Sequence, residues 1–168
     1  MKVTIRKGTF ETNSSSVHTL VLAPKESIRY EFDRKKLVHC SVILNPDDTW
    51  TLIVPCGDFS DGHGVSSFDE KIRYLCTYIA LALTGGYCED GKDPDLTDED
   101  DSRFGNILKA VHLAEPKIRS LLITHVEKAY FDHQTGPFEE DCVIDLVSEY
   151  AIGEFLFNDE TRVIFGRD

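Results

Sequence analysis

The feature that most constrains this chain is a hairpin written into residues 38–55. Two runs rich in β-branched residues, VHCSVIL (38–44) and TWTLIVP (49–55), flank Asn45-Pro46-Asp47-Asp48. Proline presets φ at the turn, and the Asn and Asp side chains bond the local backbone, so the stretch reads as two antiparallel strands. A sheet built on it must bury one face, and the rest of the sequence supplies cover in separated blocks. KVTIRKGTF (2–10) alternates like a strand, ETNSSS (11–16) is a polar turn cluster, VHTLVL (17–22) reads as a second strand, and IRYEF (28–32) as a short third. Helical spacing begins only after the Gly- and Asp-rich loop at 57–64.

Ser67 and Glu70 fit a capping box, and Phe68, Ile72, Leu75, Ile79 and Leu83 share one helical face. Gly85-Gly86 suits a left-handed helix end. Asp100, Asp101 or Ser102 caps a second helix with Phe104, Ile107, Leu108 and Val111 on its apolar face; Gly105 weakens it slightly. Pro116 fits the first position of a third helix carrying Ile118, Leu121, Leu122, His125 and Ala129, although SLLITHV also reads as a strand. A fourth helix runs from after Pro137 to about Tyr150, and EFLF (154–157), NDET and RVIF (162–165) read as a closing hairpin. Strands, then helices, then a hairpin predict an α+β fold rather than a doubly wound parallel one. The expected sheet is antiparallel, built from the N-terminal strands plus the C-terminal hairpin and packed by three or four helices. One domain is expected over residues 1–168: a β-rich region (1–57), a helical region (66–150) with an acidic connector (89–101), and a hairpin (154–166).

Charge is distributed unevenly. The net charge is −12. Residues 1–88 hold ten acids and ten bases, whereas EDGKDPDLTDEDD (89–101) holds eight acids and one base. Such a chain repels nucleic acid and anionic membrane, and its natural partners are basic surfaces or cations. Asp90, Asp93, Asp95, Asp98, Glu99, Asp100 and Asp101 are the candidate contact residues of that segment. Asp141, Asp145 and Glu149, at i, i+4 and i+8 of the fourth helix, add a second acidic row. Carboxylates at this density can occupy the cationic sites that receive DNA phosphates. A solvated acidic face is the plain alternative. An EF-hand calcium loop does not fit, because Gly91 comes too early and Pro94 intrudes.

Five cysteines (Cys40, Cys56, Cys76, Cys88, Cys142) and an opening without an apolar stretch lead to the expectation of reduced thiols in the cytoplasm. Cys76 and Cys142 sit among apolar residues and read as small buried hydrophobes. His39, Cys40, Cys56 and His63 lack the paired spacing of a structural zinc site, and no nucleotide, metalloprotease or nucleophile-elbow motif is present, so no cofactor is expected. His125, Trp50, Tyr78 and Tyr87 read as ordinary core or interface residues. Ser14, Ser15 and Ser16 with His18 either form a tight turn or, as an alternative, hold a phosphate or a nucleophile–base pair.

The string GTFETNSSSVH (8–18) resembles an N-terminal signature, GxFETNSSSxH, of proteins from phages and mobile elements of Gram-positive bacteria. The resemblance covers about the first twenty residues. It carries no activity and no site residues; it implies a phage-encoded protein at work in the cytoplasm of its bacterial host. Length, acidity and this N-terminus together also resemble small phage proteins that shut off host replication by binding the sliding clamp. That resemblance implies a homodimer seated in the ring's DNA channel. The expected function is therefore binding rather than catalysis: an acidic protein occupying the DNA site of a basic host DNA-binding protein, with the clamp as first target. The alternatives are an enzyme acting on a nucleotide or phosphoester through Ser14–Ser16 and His18, and a generic acidic interaction module. No direct nucleic-acid or membrane partner is expected.

Overall fold

The structure, a computed structural model, describes residues 16–21, 30–59, 64–84, 95–124 and 148–167. Its elements are β1 (Ser16–Val21), β2 (Ser41–Leu44), β3 (Trp50–Pro55), α1 (Phe68–Thr84), β4 (Leu96–Thr97), α2 (Ser102–Ala114), β5 (Ile118–Thr124), α3 (Glu149–Phe157) and β6 (Arg162–Arg167). The fold is α+β, as its blocks of strand and helix imply. Strands in the order β2-β3-β5-β4 make one sheet, and β1 pairs antiparallel with β6 in a second, two-stranded one. The expected strand at 2–10 lies outside the described residues. Of the short strand expected at 28–32, residues 30–32 are irregular.

The central hairpin forms as its residues dictate. The Asp48 amide donates to the Asn45 carbonyl at 3.1 Å, and Asp48 itself takes a left-handed φ of 63° before the Asn45 amide bonds the Thr49 carbonyl at 2.8 Å. Aspartate tolerates that conformation better than most side chains. Trp50, Leu52 and Val54 alternate toward one face, where Leu52 and Val54 are fully buried. α1 packs on β3 and α2 on β5. The capping box of α1 is present: Ser67 Oγ accepts the Glu70 amide at 3.2 Å, and Glu70 Oε2 accepts the Ser67 amide at 3.0 Å. Ile72, Leu75 and Ile79 are fully buried, each worth about 1.5–3 kcal/mol of transfer free energy. Leu83, in the last turn, is exposed instead. Cys76 is buried, as its apolar surroundings indicate, while Cys142 lies outside the described residues.

Three elements differ from the sequence reading. Residues 118–124 form the strand that SLLITHV also allowed rather than the third helix from Pro116, and β5 pairs with β3 in parallel rather than antiparallel. A register irregularity after Trp50 places both Ile118 and Leu121 in the core, three residues apart. That spacing imitates a helical face in the sequence. Second, EFLF is not a strand and no 154–166 hairpin exists; Phe155, Leu156 and Phe157 end α3. This helix buries Ile152, Gly153, Phe155, Leu156 and Phe157, so its apolar residues surround the axis and the amphipathic period is lost. The NDET turn is real, with the Thr161 amide bonding the Asn158 carbonyl at 2.9 Å, but it joins a helix to β6, whose partner is β1. Third, the expected helix ending near Tyr150 instead has a helix beginning there, because Ser148 is the N-cap of α3.

Two buried charges lock the blocks together. The Asp69 carboxylate, at the start of α1, accepts the His39 and Cys40 amides, the latter at 2.8 Å, and so pins the entry to β2. Lys71, 1% exposed, donates from Nζ to the Asn158 carbonyl at 2.7 Å, capping the end of α3. Phe68 stacks on Phe157 at 5.1 Å, and Tyr30 packs on Phe157 at 5.5 Å in the same region. Asp69→Ala orphans buried amides and is expected to cost about 3 kcal/mol in urea unfolding. Burial pulls the Lys71 pKa from 10.5 down to about 8, against the pull of Asp159 and Glu70. Between those two values the unfolded chain holds a proton that the folded chain has released, so the contribution of Lys71 to stability grows as pH rises. The stability difference between wild type and Lys71→Met should therefore shift toward wild type from pH about 8 to about 10; a pH-independent difference refutes this.

Candidate acidic interface

The described stretch of the acidic segment turns from β4 into α2. β4 pairs antiparallel with β5, Thr97 opposite Leu122. Asp98 is half-buried and its Oδ1 accepts the Leu121 amide at 2.8 Å, tying the corner to β5. Asp100 Oδ2 accepts the Thr97 amide at 2.6 Å and the Thr97 hydroxyl at 2.9 Å. Asp101 is the N-cap of α2: Oδ1 accepts the Arg103 amide at 2.8 Å, and the carboxylate takes Nε and a terminal nitrogen of the Arg103 guanidinium, both at 2.9 Å. The hydrogen bonds from the Arg103 guanidinium hold the Asp101 carboxyl below the usual carboxylate value, against a partial loss of water.

The candidate contact acids thus divide. Asp98, Asp100 and Asp101, expected to face a partner, carry the internal bonds of the corner, because backbone amides at a turn and a helix start need acceptors. Asp95 and Glu99 are exposed, and among the described residues their carboxylates have no hydrogen bond or ion pair. Between Asp95 and Arg103 the chain still holds five acids and one base, so the corner is strongly anionic. Asp90 and Asp93 lie outside the described residues, as do Asp141 and Asp145. The acidic row along one continuous helix is corrected: Ser148, at φ −99° and ψ 113°, is extended, and Glu149 opens a new helix, half-buried in its first turn.

The other candidates are placed as follows. Ser14, Ser15, His63 and His125 lie outside the described residues. Ser16 belongs to β1 rather than to a turn, opposite Arg167, with His18 opposite Phe165. Cys40, Cys56 and Cys76 are buried thiols outside any disulfide. Burial pushes the Cys40 and Cys76 thiols up, and Asp69 adds to the effect at Cys40. Among the described residues no group of three or more His, Cys, Asp or Glu is gathered to hold a metal ion. Among them, too, no helix is long and apolar enough to cross a membrane.

No family model, curated protein or solved structure matches this chain.

A second charged feature escaped a charge reading taken over residues 1–88 as a whole. Arg34, Lys35 and Lys36 form an exposed 3-10 turn, with Arg34 Cζ 5.8 Å from the centre of the Trp50 ring. Lys117 Nζ lies 5.6 Å from the same ring and 3.1 Å from Asp48 Oδ2. The signal was legible as the acid-free run RKKLVHCSVIL (34–44). The division of labour in the acidic corner predicts a split in stability. Asp98→Ala should cost about 2 kcal/mol and Asp101→Ala about 1 kcal/mol. Asp95→Asn and Glu99→Gln should change urea unfolding by less than about 0.5 kcal/mol.

Proposed function

We propose that this protein acts by binding, setting its acidic corner against the basic DNA site of a host DNA-binding protein and so excluding DNA. The observation that carries this reading is the contrast within the corner. Asp98, Asp100 and Asp101 anchor its backbone, while Asp95 and Glu99 project with no partner among the described residues. A charge held on a fixed backbone loses little entropy on meeting a cationic surface, which favours it over the same charge on a loose tail. The low count of bases in this region of the chain keeps DNA itself away. The resemblance of GTFETNSSSVH to phage and mobile-element proteins supports a setting inside an infected bacterium and makes the replicative sliding clamp the first target to assay.

The test is calorimetric titration of the purified bacterial clamp at a series of salt concentrations, with duplex DNA as competitor. Binding should weaken steeply with salt, as expected for contacts between exposed charges. Asp95→Asn/Glu99→Gln should weaken it about tenfold or more, a loss of roughly 1.4 kcal/mol or more. Binding that ignores both salt and the double substitution overturns the reading; no binding at all removes the clamp as the target.

A further inference from the structure

The four-stranded sheet has two ends of opposite character. At one end, among the described residues, β2 pairs only with β3. Several apolar side chains in and before it are open to solvent: Val38 is 81% exposed, Leu44 60% and Ile43 49%. Arg34, Lys35 and Lys36 are exposed, with Arg34 over the ring of Trp50, the residue opposite Leu44, and among the described residues none of the three forms an ion pair. No acid occurs from Arg34 to Leu44, in a chain of net charge −12. Of the nearby acids, Asp33 caps the 3-10 turn by accepting the Lys35 amide, Asp69 is buried on the His39 and Cys40 amides, Asp48 is engaged by Lys117 and Asp47 is bonded to Thr49, while Glu31 is exposed. At the other end of the sheet, beyond β4, lies the anionic corner, where Asp95 and Glu99 are exposed and have no partner among the described residues.

We propose that the β2 end of the sheet is a docking surface for the acidic β4–α2 corner of a second copy of this chain, in a head-to-tail contact. The occupant follows from charge complementarity: the cations of one end match carboxylates that the same molecule carries at the other. An open edge strand with apolar side chains is a natural template for association, and here flanking cations select an anionic partner over an identical edge. The contact is heterologous, joining two different patches, and is distinct from a twofold dimer. It does not rest on the function proposed above, although both use Asp95 and Glu99, so self-association and capture of a basic partner exclude each other at that corner.

Two opposing electrostatic effects give the contact a distinctive salt signature. Net charge drives copies apart over about 30 Å at 0.01 M salt, while at about 1 M the local attraction itself is screened within about 3 Å. Association should therefore peak near about 0.1 M salt, where repulsion reaches only about 10 Å and touching charges still attract. Sedimentation of the full chain across this range tests it. Emission from Trp50, the only tryptophan, reports events at the β2 end. Two exposed-site variants complete the test: Arg34→Gln/Lys35→Gln/Lys36→Gln, which removes one patch, and Asp95→Asn/Glu99→Gln, which removes the other. Each alone should associate about tenfold or more weakly than wild type. Mixed together they should form a one-to-one complex, because each supplies the patch that the other lacks. Unchanged urea unfolding of both variants verifies the fold. A monomer at every salt concentration overturns the proposal. So does association that rises steadily with salt, which is the mark of apolar pairing through Val38, Ile43 and Leu44 alone. Failure of the two variants to combine overturns it as well.

Discussion

The parallel pairing of β3 with β5 is the constraint from which the rest of this molecule follows. Two parallel neighbours cannot be joined by a tight turn, so the chain must leave the end of β3 and return to the start of β5. It uses α1, β4 and α2 on the way, and the two helices cover the face that carries Leu52, Val54, Leu121 and Ile123. With β3 and β5 in the middle, the hairpin partner β2 and the short β4 fall at opposite ends of the strand order. The cationic turn before β2 and the anionic turn after β4 are kept apart by the width of the sheet for this reason alone.

Acidic residues serve two purposes here, and the same side-chain type does both. Asp69, Asp98, Asp100 and Asp101 accept backbone amides where strands and helices begin. Their charge strengthens those bonds, since an ionised acceptor binds an amide about twice as strongly as a neutral one. Asp95 and Glu99 have no such duty among the described residues, yet stand on backbone that their neighbours hold still. A composition-level view sees one anionic tract; hydrogen bonds sort it into scaffold and display.

What could be read from the sequence is what local chemistry decides. The Asn45–Asp48 turn, the Ser67/Glu70 capping box and the Asp101 cap all bond within a few residues of themselves, and each forms as its residues indicate. Elements decided by distant partners read ambiguously or wrongly. β5 imitates a helical face because a register irregularity puts Ile118 and Leu121 on one side of the sheet. α3 imitates a strand because its burial on nearly all sides erases the helical period. The role of Asp98 was equally hidden, since the amide that it accepts belongs to Leu121, in another strand. The cationic turn at 34–36 was visible in the sequence, but averaging over a neutral half concealed it.

The ladder between β1 and β6 joins Ser16 to Arg167 and Val21 to Arg162, and β6 is anchored in turn by the bridge between Val65 and Val163. During translation, the first of these strands emerges from the ribosome long before its mate. It must wait through the making of every helix described above, and among the described residues no strand of the larger sheet pairs with it. The β1–β6 ladder therefore closes only once β6 has been synthesised, and a ribosome that stalls between α3 and β6 would release a chain lacking the strand that β1 pairs with here.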